Sequence, residues 1–252
     1  MNLLVCIRQG LPGDSSQPID LLARYALEAA ALLQDEDPEA QITLLSLGGK
    51  EALLEAWSIA GDRMMLLEDE AFRGSDQQGK GRILAAAVRL LEQQQGAPFD
   101  LIFCGQQSAD EGSGLVGPAL AHQLGRSFVS AVIRAERDGE VFRLEQECKN
   151  GVRILEAPAP CVALVTRSDL DLRYPTIFRK MQANDMEDTL TPLGLADLPG
   201  LNAEEIGGKA ACVQRQHLFA PQKKSGQVRL RAATGAAAAV GILSLLEQEK
   251  IV

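Results

Sequence analysis

An α/β fold built on a mostly parallel sheet, with helices on both faces, is what this sequence predicts. Three observations carry that expectation. Short apolar runs alternate with stretches of helical periodicity over the first two-thirds of the chain. The apolar run 100–104 breaks at Gly105 into a polar, glycine-bearing loop and then resumes with helical spacing at Leu115, Val116, Leu120 and Leu124. Hydrophobic residues make up 46% of 252 positions, enough for one large α/β domain or one domain with an extension.

Taken in order, residues 3–7 are the first strand, ended by the turn signals Gly10, Pro12 and Gly13. Residues 20–33 follow as a helix, with Leu21, Leu22, Tyr25, Leu27, Ala29 and Leu32 near a 3.6 period and Asp20 as a cap. Residues 42–47 form the second strand, stopped by Gly48-Gly49, and 51–60 the second helix. Residues 63–67 are the third strand, 83–91 lie in a longer helix, and 100–104 are the fourth strand. Strands separated by helices imply right-handed crossovers, and a ligand then binds beyond the carboxyl ends of the strands. The loops after Ile7, Leu47 and Cys104 should therefore share one crevice. Within it, Ser113 is placed to cap the helix 115–124, whose first-turn amides and dipole offer a seat for an anion.

After Gly125 the pattern changes. Residues 128–135, 140–147, 151–156 and 161–166 are short extended runs, with turn-like Asp138-Gly139 and Asn150-Gly151 between the first of them. They suggest an antiparallel addition to the sheet. From about residue 185, Pro192, Pro199, Gly207, Gly208 and Pro221 interrupt every apolar run, as in an arm laid on another surface. An alanine-rich helix over 235–249 closes the chain. The domains expected are a core at 1–184, an arm at 185–225, and a strand and helix at 226–252.

A net charge of −9 argues against a nucleic-acid partner. The five cysteines make neither a CxxC pair nor a zinc spacing, and Cys6, Cys104 and Cys161 sit in apolar runs. Residues 1–8 lack an h-region, and no run approaches the roughly 20 apolar residues of a membrane span, so a cytoplasmic location is expected. Gly74 to Gly81 nearly spells a P-loop, but Gly81 stands where a magnesium-binding hydroxyl belongs. Ser113 with His122 or His217 lacks the nucleophile elbow of a hydrolase, and no metal-ligand spacing or self-contained catalytic set is seen.

The segment Asp171-Leu172-Arg173-Tyr174-Pro175-Thr176-Ile177-Phe178-Arg179-Lys180-Met181-Gln182-Ala183 resembles the signature of the electron transfer flavoprotein β subunit family. Val5-Cys6-Ile7-Arg8-Gln9, Ala60-Gly61-Asp62-Arg63, Gly105-Gln106-Gln107, Val116-Gly117-Pro118 and Leu193-Gly194-Leu195 match other parts of that family in the same order. The resemblance implies a Rossmann-like, adenine-nucleotide-binding fold and a non-catalytic electron carrier. It implies AMP, or a second FAD, in a pocket made by Cys6, Leu47, Gly48, Gly105, Asp110, Ser113, Gly114, Leu115 and Val116. Arg173 and Tyr174 would face an α subunit that holds the redox FAD. A flavin dehydrogenase would deliver electrons, and a quinone reductase or similar acceptor would take them. The loop 110–115, the short stretch 9–20, Leu172 and Gln146 depart from the family pattern, as in a divergent paralogue. The other function class is a stand-alone adenine-nucleotide-binding protein of the stress-protein or nucleotidyl-hydrolase kind, which would have no use for a long arm.

Overall fold

The computed structural model describes residues 1–11, 18–213 and 230–248, in two compact units, Met1–Gln214 and Arg215–Val252. The first unit holds one eight-stranded sheet. Its strands are β1 (Asn2–Ile7), β2 (Gln41–Leu47), β3 (Arg63–Leu67), β4 (Leu101–Gly105), β5 (Ser127–Asp138), β6 (Val141–Cys148), β7 (Gly151–Pro158) and β8 (Cys161–Val165), in the order β3-β2-β1-β4-β8-β5-β6-β7. All neighbours from β3 to β5 are parallel, and β6 and β7 are added antiparallel.

The helices are α1 (Leu21–Glu36), α2 (Lys50–Ile59), α3 (Gln77–Gln95), α4 (Val116–Leu124), α5 (Ile177–Glu187), α6 (Gly207–Ala210) and, in the second unit, α7 (Gly235–Gln248). Period-2 geometry sends alternate side chains of each strand to opposite faces. Leu3 and Val5 therefore pack with Leu27 of α1 and Leu53 of α2, while Leu4 and Ile102 pack with Ile83 of α3 and Leu120 of α4. The sheet is thus covered on both faces, as expected. α4 lies close enough that a side chain at Gly117 would collide with Leu164 of β8, its Cβ falling 2.3 Å from Cδ2. Only glycine fits there.

Two details differ from the sequence reading. Residues 161–165 are not part of the antiparallel addition; they lie between β4 and β5 and run parallel to both. Cys161-Val-Ala-Leu-Val is buried along its whole length, and a strand apolar on both sides needs cover from helices on both sides, which only the middle of the sheet provides. α5 was also missed. Thr176 caps it by accepting from the Arg179 amide at 3.2 Å, but few apolar residues face the core, so its periodicity is weak.

The stretch read as an arm is knit into its own chain as far as the structure describes it. Leu193 pairs with Leu67 as a short parallel bridge along the β3 edge, with the Leu193 amide donating to Leu66 O at 2.8 Å. Backbone amides of Leu195, Gly207 and Cys212 donate to Asp69, Ser75 and Asp76, each at 2.8 Å. Leu198 and Ile206 are buried. These contacts cap a sheet edge that would otherwise present unpaired backbone groups. Residues 214–225, and the expected strand beginning at 226, lie outside the described residues. In the second unit, α7 buries none of its described side chains. Among the described residues no helix is long and apolar enough to cross a membrane.

Candidate functional site

The strand order reverses between β1 and β4: the chain builds outward from β1 to β3, then returns to place β4 on the other side. Loops leaving neighbouring strands there diverge and open a crevice. A cavity of about 360 Å³ lies at this point, lined by the ends of β1, β2, β3 and β4, the start of α4, and residues 72–75 ahead of α3. Of the residues expected in a nucleotide pocket, Cys6, Leu47, Gly48, Gly105, Ser113, Gly114, Leu115 and Val116 all line it.

Asp110 does not line the cavity. Its carboxylate takes the Arg8 guanidinium at 2.5 Å, and Arg8 does line it. Burial pushes the Asp110 carboxyl up, but the Ser108 hydroxyl, the Glu111 amide and the Arg8 charge outweigh that and hold it down at about 2. The neighbouring Glu111 receives Lys80 of α3 at 2.9 Å. The two consecutive carboxylates therefore tie the β4–α4 loop to opposite walls, one to the end of β1 and one to α3.

Ser113 is not the helix cap. Leu115 occupies that position in αR geometry and no side chain caps α4; the Ser113 hydroxyl reaches the Leu115 amide only at 3.5 Å. The change makes the seat more exposed, since a helix end with no side-chain cap keeps first-turn amides available to an anion. Gly114 enters the turn with φ +65°, and a Cβ there would lie 3.3 Å from the Gln106 carbonyl oxygen.

Other lining residues went unread. Asp20 was expected only as the cap of α1. It accepts from the Leu22 amide at 3.0 Å and also from the Ala109 amide at 3.0 Å, fastening the β4–α4 loop to α1. Gln106 accepts from the Ala131 amide at 2.7 Å, where β5 bulges and Ala131 adopts φ 52°. Gly74, Ser75 and Lys80, dismissed as a P-loop, line the cavity without forming one: Asp76 caps α3 by accepting from Gly79. Their near-motif spacing was a usable signal for location, though not for mechanism.

Arg173 and Tyr174 stand apart from the cavity. The Arg173 guanidinium is held by two carboxylates of α1, Glu28 at 2.9 Å and Asp35 at 2.7 Å, with the Glu28 side chain only 5% exposed. Burial lowers the Arg173 pKa, but the two carboxylates more than reverse it. Tyr174 is 81% exposed and lies under Arg24, 5.5 Å from its ring centroid. Ile177, Phe178 and Met181 of α5, just after it in the chain, are exposed as well. On the same helix, Arg179 stacks on Trp57 at 4.7 Å and donates to the carbonyls of Trp57 and Gly61. His122 is an exposed residue of α4. Among the described residues no group of three or more His, Cys, Asp or Glu is placed to hold a metal ion.

Comparison with known proteins adds a family. A model of the electron transfer flavoprotein domain matches residues 12–187. The chain is 32% identical to the electron transfer flavoprotein subunit β of Megasphaera elsdenii over 229 residues, covering 89% of this chain and 82% of that one. It is 29% identical to protein FixA of Azorhizobium caulinodans over 225 residues, 87% and 77% of the two chains. It is 27% identical over 249 residues to subunit CarD of the caffeyl-CoA reductase–Etf complex of Acetobacterium woodii, 98% and 90% of the two. The chain belongs to the electron transfer flavoprotein family, in its β-subunit branch.

Proposed function

We propose that this chain is the β subunit of a two-chain electron transfer flavoprotein and that its cavity holds AMP as a structural nucleotide. The observation that carries the nucleotide is the uncapped start of α4, opening into the cavity beside Gly114. The residues present suit such a group: backbone amides for a phosphate, a glycine that allows close approach, and apolar walls at Leu47, Leu67 and Leu84 for a base. A volume of about 360 Å³ is near the small end of ligand sites, roughly 300–1,000 Å³, which favours a mononucleotide over a second FAD.

Electron transfer itself is the chemistry of a flavin, here the FAD of the α subunit. This chain's own residues contribute shape. The exposed Tyr174, Ile177, Phe178 and Met181 offer an apolar contact for the partner, since a patch of this kind on a charged surface marks an interaction site. Arg173, locked to α1, keeps that surface in place rather than meeting the flavin directly. A flavin dehydrogenase serves as donor, and a quinone reductase or a similar acceptor removes the electrons. Similarity to a subunit of a reductase–Etf complex supports a dedicated redox partner.

Co-expression with the α-type subunit tests the reading. A yellow, stoichiometric complex that releases one AMP per pair on heating, and carries electrons from its dehydrogenase to a dye, is the expected outcome. A colourless chain that ignores the α subunit, or one that reduces a dye unaided at the rate of the complex, would refute it.

A further inference from the structure

The floor of the cavity carries chemistry that nucleotide binding does not use. β1 and β4 are adjacent and parallel, with Val5 beside Phe103, so the next residues, Cys6 and Cys104, are neighbours. Alternation sends both to the same side of the sheet, where they join the cluster containing Leu4 and Ile102. Both line the cavity, Cys6 half-buried and Cys104 buried. The position of Cys104 beside Cys6 also raises the Cys6 pKa. Neighbouring strands set Cα atoms about 4.8 Å apart, inside the range of roughly 4.4–6.8 Å over which two cysteines can be bridged.

We propose that Cys6 and Cys104 are a redox-active dithiol, a modification site at which a small oxidant of the hydroperoxide class, entering through the cavity, closes an intramolecular disulfide. One sulfur, as its thiolate, attacks a peroxide oxygen and breaks the O–O bond, giving a sulfenic acid and one water once protons are taken up. The second sulfur then attacks the first, the S–S bond forms, and a second water leaves. Two thiols lose two electrons and one hydrogen peroxide becomes two waters. Interaction with Cys104, then burial, push the Cys6 thiol well up, so Cys6 rests as the thiol and closure at neutral pH is slow. The remaining cysteines differ in setting. Cys161 is sealed in β8 with its thiol pushed up by burial to about 11, Cys148 lies beside Gln146 on β6, and Cys212 is exposed; none of them lines the cavity.

The experiment treats the folded chain with hydrogen peroxide, then denatures it, alkylates it and maps it after tryptic cleavage. The expected product joins the peptide of residues 1–8 to that of residues 90–126, is reversed by dithiothreitol, and is missing from Cys6→Ser. Because the wild-type map is decisive, a poorly folding variant does not affect the outcome. Full alkylation of Cys6 and Cys104 after treatment, or their separate oxidation to sulfinic acid, would overturn the dithiol. A second arm repeats the treatment with saturating AMP, and it alone rests on the nucleotide reading. Closure slowed about tenfold or more supports both ideas. Closure at an unchanged rate supports the dithiol and counts against AMP in this cavity.

Discussion

The two ends of the sheet follow different rules. From β3 to β8 the strands are parallel and covered on both faces by helices, and Leu44, Phe103 and Val162 are fully buried. In β6 and β7 the sheet runs antiparallel, and at its edge Val152 and Ile154 are each 55% exposed. Parallel strands need crossover helices, and the helices seal them; a hairpin needs none, so it can leave a face open. Burial is therefore concentrated at the parallel end of the sheet, and apolar side chains are left exposed at the hairpin edge.

The strongest test of that contrast pairs one residue from each end. Phe103→Ala empties a fully buried site in β4 and should cost about 3–5 kcal/mol. Ile154→Ala in β7 should change stability by no more than about 0.5 kcal/mol. Denaturant melts of both variants decide it, and similar losses would break the comparison. Next in size is Arg173→Ala. It leaves the nearly buried Glu28 without its charge partner, holding only the backbone amide of residue 173, and should cost about 3 kcal/mol or somewhat less. The same melts measure this, and an unchanged midpoint would place Arg173 at a contact with another chain instead.

At the cavity the effects become local. Gly114→Val forces a branched residue to φ +65°, at a cost of about 1–3 kcal/mol, and should lower AMP affinity about tenfold while leaving the fold intact by circular dichroism. Titration calorimetry reads the difference. A small, pH-dependent effect is expected of Asp110→Asn. The folded carboxyl lies at about 2, below an unfolded value of about 3.9, so its ion pair with Arg8 stabilises fully above pH 4 and is lost as the pH falls toward 2. The pair is partly exposed and contributes less than about 1 kcal/mol. Acid titrations should show the variant with a shallower loss over that window and a stability closer to wild type at pH 2.

Much of the parallel end was legible in the sequence because its rules are local. Apolar runs bounded by Gly10, Gly48-Gly49 and Gly105 mark strands that end at one edge, and strands that end together make a crevice. Eight of the nine residues that the family resemblance implies for the pocket line the cavity there. The ninth, Asp110, does not line it, because whether a carboxylate faces the cavity or an arginine 102 positions away depends on a contact that no local pattern encodes. Proline and glycine over residues 185–225 are read as signs of an arm. They are equally the signs of a segment that meets a sheet edge at Leu193 and whose amides donate to Asp69, Ser75 and Asp76.

The sequence by itself determined the α/β class, the position of the crevice and the family, because periodicity, turn chemistry and the order of short motifs are all properties of neighbours along the chain. Tertiary structure alone decided the rest. It placed β8 between β4 and β5, bound Arg173 to α1, paired Leu193 with the end of β3 and tied Leu195, Gly207 and Cys212 to residues 69–76, and set Cys6 beside Cys104. Each of these depends on which distant segment supplies the missing hydrogen bond, charge or apolar cover. That choice is made by the free energy of the whole fold, in which desolvated groups must find partners wherever the chain brings them.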